Sequence, residues 1–95
     1  MDRKNTPLLH RLQVVRNEID AGAQALEDSI HRIPGDEQEQ FLLGLREVER
    51  LSRSARGLYD AIAEHEYGMS DYQYDLYVAR IEEIRRVFET MFERA

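Results

Sequence analysis

Residues His65–Tyr77, HEYGMSDYQYDLY, gather four tyrosines, two aspartates, a histidine and a glutamate around one glycine. Phenols, carboxylates and an imidazole this close together could hold a small polar ligand, with Asp71, Tyr74 and Asp75 as candidate binding residues. The same letters also spell a helix corner. Gly68 suits left-handed backbone after a helix, Ser70 suits an N-cap, and Gln73 follows Ser70 at capping-box spacing. Met69 and Tyr74 have the spacing of a hydrophobic staple. Elsewhere, Arg46, Arg50, Arg53 and Arg56 fall within an arc of about 120° on a helix, an anion-binding stripe for phosphates or an acidic partner. Glu47, Glu49 and Asp60 stand beside them, and Glu49 to Arg53 has the favourable i, i+4 order, so a solvated, salt-bridged face accounts for the same pattern. Glu27, Asp28 and His31 could approach one ion from a single helix. A di-iron bundle, however, needs a second Glu-x-x-His pair and two further glutamates, and the second pair is absent.

His65 falls on an apolar seam, where a hydrogen-bonded packing role is expected, and His10 has no partner at helical spacing. Ser52, Ser54 and Ser70 have no histidine beside them to act as a base. Paired carboxylates such as Asp60 and Glu64 are too common on acidic helices to mark acid–base chemistry. No enzyme, metal or cofactor is expected from these residues.

The words HEY and SDYQYDLY resemble the small helical N-terminal subdomain of bacterial NAD-dependent DNA ligases. In that family an H-x-Y stretch ends one helix and a D-x-x-Y-D motif opens the next. The resemblance implies that Asp71, Tyr74 and Asp75 would help to hold the nicotinamide mononucleotide half of NAD. It covers residues 65–76 of the 95. The family's segment between the two words and its adenylation domain have no counterpart in this chain.

Three amphipathic segments would position these groups. The first opens at Thr6-Pro7, a good N-cap followed by a residue preorganised for the first turn. Leu12, Ile19, Leu26 and Ile33 then repeat at seven residues, as do Leu8, Val15, Gly22 and Ser29, the stripe of a helix packed along its length on another. Small residues at Gly22 and Ser29 leave room for a close neighbour or a bulky side chain opposite. Pro34-Gly35 ends this helix. The second segment starts near Asp36, with Glu37 and Glu39 favourable at its positive end. Its stripe is Phe41, Gly44, Val48, Leu51, Ala55, Leu58, Ile62 and His65, flanked by Leu42, Leu45 and Tyr59. LSRSARG weakens its middle but is read as continuous helix. The third carries Tyr74, Tyr77, Ile81, Ile84, Phe88 and Met91, supported by Val78, Val87 and Phe92.

This pattern predicts a single all-α domain, residues 1–95: an elongated up-down-up three-helix bundle with coiled-coil-like seams and helices at about 7–33, 37–67 and 71–93. So thin a bundle leaves apolar flanks half exposed, so a homodimer is expected to cover them. The net charge of −6, spread along the chain, gives no field to attract nucleic acid. Without cysteine there is no disulfide or thiolate site. No apolar run is long enough to span a membrane, and the first residues lack a signal-like apolar core, so cytoplasm is the expected compartment. The expected function is non-enzymatic protein–protein binding or self-assembly, as a regulator, adaptor or inhibitor of a size that fits a phage or mobile element. Its protein partner would meet Tyr67, Tyr72, Tyr77, Phe88 and Phe92, since aromatics are enriched at binding hot spots. A nucleotide or small-ligand module at the Asp71, Tyr74 and Asp75 corner is the alternative.

Overall fold

Proline, glycine and a reciprocal cap set the ends of the helices. The computed structural model describes residues 5–65 and 68–93. Helix α1 runs Asn5–Ser29 and tightens into a 3-10 turn at Ile30–Arg32; α2 is Gly35–Ala63 and α3 is Asp71–Glu93. The chain is an all-α three-helix bundle.

The ends differ from the sequence expectation for local reasons. Helix α1 begins at Asn5, so Pro7 lies inside the first turn, where the missing N–H has no intrahelical acceptor to lose. Its α-helical part stops at Ser29 rather than continuing to residue 33. Ile33 must be extended ahead of Pro34 (φ −100, ψ 135), and the preceding turn tightens to reach it. Gln38 reaches back to donate its side-chain amide to the carbonyl of Ile33 (3.1 Å) and to that of Ile30 (3.4 Å), which also accepts from the Ile33 N–H. Helix α2 starts at Gly35 with Pro34 as its N-cap, so Asp36 and Glu37 occupy its first turn rather than Glu37 and Glu39. It runs unbroken through LSRSARG but ends at Ala63, short of residue 67. There the His65 N–H turns to the Ile62 carbonyl at 3.1 Å. Gly68 takes positive φ (+107), in the connection rather than on the helix end.

Ser70 caps α3 as expected: the Gln73 N–H donates to Ser70 Oγ at 3.1 Å, and the Ser70 N–H donates to Gln73 Oε1 at 3.0 Å. Met69 is buried, and half-buried Tyr74 packs on the same cluster, as a staple requires. Ser70→Ala should cost about 1 kcal/mol. That is about 4–8 °C in a thermal melt followed by circular dichroism, and an unchanged melt would count against the box.

Contacts between helices fix the topology. Asn5 Nδ2 donates to the His65 carbonyl at 3.1 Å, the Arg16 guanidinium lies 5.1 Å from the Tyr59 ring centroid, and Ser52 Oγ is 3.5 Å from Asp20 Oδ1. Numbers fall along α1 as they rise along α2, so these helices are antiparallel. Helix α3 lies parallel to α1, with the rings of Phe88 and Phe92 closing on Gly22. A Cβ on Gly22 would stand 2.8 Å from Phe92 and 2.9 Å from Phe88. The small residue expected to admit a bulky side chain does so.

The core is a rod of side chains at helical spacing: Leu8, Leu12, Val15 and Ile19 at steps of four and three; Val48, Ala55 and Ile62 at steps of seven; Ile81 and Ile84; with Met69 from the corner. Among the described residues none of the buried set is polar or charged. Each fully buried large aliphatic contributes about 1.5–3 kcal/mol relative to exposure. The molecule measures 55 × 18 × 15 Å. Its radius of gyration is 15.9 Å, against about 12 Å for a compact domain of this length. A rod of three helices has little interior, so much of its apolar surface must remain at the flanks.

Candidate functional site

At the corner, the His65 ring meets Tyr77 edge-on, with centroids 5.5 Å apart, and His65 Nε2 lies 2.8 Å from the Tyr77 hydroxyl. Together with the Asn5 bond to the His65 carbonyl, this pair ties the start of α1, the end of α2 and the first turns of α3 into one knot. The imidazole and the Tyr77 phenol are thereby engaged within the chain. Tyr74 is half-buried against the core, whereas Asp71 and Asp75 lie one turn apart on exposed helix surface. Tyr72 is 73% exposed and points away from that cluster. Tyr67 lies outside the described residues.

Phe88 and Phe92 are 4.7 Å apart between ring centroids, tilted at 45°, and lie over Gly22, with Phe92 at the solvent edge. The aromatic residues read from the sequence as one contact surface are therefore divided. Phe88, Phe92 and Tyr77 work between helices, and Tyr72 stands outside.

Arg46, Arg50, Arg53 and Arg56 are all exposed, on the side of α2 away from the core. Arg50 reaches Glu47 at 3.6 Å, an exposed i, i+3 pair worth little in water. Glu27, Asp28 and His31 straddle the end of α1, since His31 belongs to the 3-10 turn, and Asp28 accepts a hydrogen bond from Gln24 at 3.0 Å. No group of three metal-ligating side chains converges among the described residues.

A further surface feature lies between the outer flanks of α2 and α3. Glu47, Glu83, Arg86, Val87, Thr90 and Met91 line an open groove of about 430 Å³. At 100° per residue, Leu43, Glu47, Arg50 and Ser54 share an arc of about 60° on α2, and Leu76, Glu83, Val87 and Thr90 share about 60° on α3. All eight are exposed. Leu43 is 54%, Leu76 49% and Val87 44% exposed, so large aliphatic side chains stand in solvent on both banks, one on α2 and two on α3. Sequence reasoning placed Val87 in support of the core stripe and passed over Leu43 and Leu76. The available signal was a second series of three- and four-residue steps, displaced by about 120° from the first.

No family model, no curated protein and no solved structure matches this chain. Among the described residues no helix is long and apolar enough to cross a membrane.

Proposed function

We propose that this protein works by protein–protein contact, as a small helical regulator or adaptor that self-assembles or docks a partner along the α2–α3 flank. One observation carries the reading: large aliphatic side chains at Leu43, Leu76 and Val87 stand in solvent on the outer flanks of α2 and α3, where Val87 lines an apolar groove. Single exposed leucines are ordinary, but a recurring series on adjoining helices marks an interaction surface. The repeat along each bank is that of a helical seam, so an added helix would continue the coiled-coil-like packing of the bundle. Tyr72, on the same side of α3 as Leu76, supplies an aromatic residue at the end of this surface.

The test is site-specific photo-crosslinking in the native cell. A crosslinking phenylalanine analogue at position 87 should give a discrete adduct, to a second copy or to another protein. The same analogue at position 17, on the exposed outer side of α1, should give none. Equal, diffuse labelling from both positions would overturn the reading.

A further inference from the structure

From the same flank we infer that the groove takes the groove of a second copy, related by a twofold axis, with Arg86 of each protomer meeting Glu83 of the other. This rests on the protein-binding reading above and commits it to one partner. The surface area gives the first reason. The chain exposes 7061 Å². A compact monomer of 11.2 kDa exposes roughly 5,700 Å². A standard interface removes about 800 Å² per partner, which fits within that excess of about 1,400 Å².

Charge gives the second reason, and it selects the occupant. Glu83 and Arg86 both line the groove, three residues apart, and neither forms an ion pair among the described residues. On the opposite side of α3 the neighbouring Arg85 is engaged by Glu82 and Glu89, at 4.0 and 3.1 Å. The groove thus keeps one carboxylate and one guanidinium unmatched beside Val87 and Met91. A uniformly acidic or basic partner would satisfy one and repel the other. A second copy satisfies both, because a twofold interface brings residue i to j and j to i. Val87 then lies near the axis, where the apolar floor of one groove covers that of the other.

Light scattering and sedimentation on the full chain test this. The wild type should reach twice the chain mass of 11.2 kDa with rising concentration. Glu83→Arg and Arg86→Glu each set like charges against each other twice across the axis and should raise the dimer Kd by roughly tenfold or more. The double exchange, Glu83→Arg with Arg86→Glu, should restore it. Val87→Asp should also yield monomer, with an unchanged helical spectrum showing that the fold is intact. A double exchange that stays weak would overturn the reciprocal pairing. A dimer indifferent to all four variants would overturn this face while leaving self-assembly standing. A wild type that remains monomeric at every concentration would overturn the second-copy partner, leaving the broader reading to the crosslink at position 87.

Discussion

Ile81→Ala is expected to cost about 2–5 kcal/mol, the range for truncating a buried aliphatic where the cavity cannot fully collapse. Ile81 is fully buried at mid-helix, and it and Ile84 are the buried residues that α3 contributes to the core. A domain of this length has roughly 5–14 kcal/mol of total stability at the usual density per residue, so this one side chain carries a large share. Thermal unfolding should fall by about 8–40 °C across that range. In urea the midpoint should drop with an unchanged slope if the loss is packing alone. Val14→Ala is the control: its side chain is 47% exposed on α1, away from the α2–α3 flank, and its cost should stay near 0.5 kcal/mol. Equal costs at the two positions would mean that α3 does not dock through its Ile81 face.

The inward stripe was legible because burial on a helix has a period. Leu8, Leu12, Val15 and Ile19 and the series Val48, Ala55 and Ile62 are buried where the three- and four-residue steps put them. The Ser70–Gln73 cap was legible because it is made by neighbours in sequence. Less could be read where two distant segments decide. His65 and Tyr77 lie on opposite sides of a corner, and spacing alone does not tell that their side chains meet. Phe88 and Phe92 have the composition of a contact surface, but which surface depends on a glycine of another helix. Periodicity gave room at Gly22 without naming its occupant. Val87 shows the same limit from the other side. It adjoins the core stripe on α3, and only the placement of α2 and α1 decides that no helix of the chain covers it.

Replacing each of two helical glycines by alanine should give opposite results. In a helix interior glycine is about 0.8–1.0 kcal/mol worse than alanine, because it loses more backbone freedom on folding. At Gly57 the added methyl would meet nothing within 4 Å. Gly57→Ala should therefore raise stability by about 1 kcal/mol and the melting temperature by about 4–8 °C. At Gly22 the same gain is opposed by the ring atoms at 2.8 and 2.9 Å. Phe92, at the solvent edge, can rotate away, but Phe88 is held between α1 and the rest of α3. Overpacking typically costs about 1–3 kcal/mol, so Gly22→Ala should be neutral to about 2 kcal/mol destabilising, and Gly22→Leu worse. A double-mutant cycle separates the terms: with Phe88→Ala in place only the Phe92 contact remains, and that ring can turn aside, so Gly22→Ala should then stabilise as Gly57→Ala does. If Gly22→Ala alone already matched Gly57→Ala, the rings of α3 would not rest on Gly22, and the parallel register of α1 and α3 would be wrong.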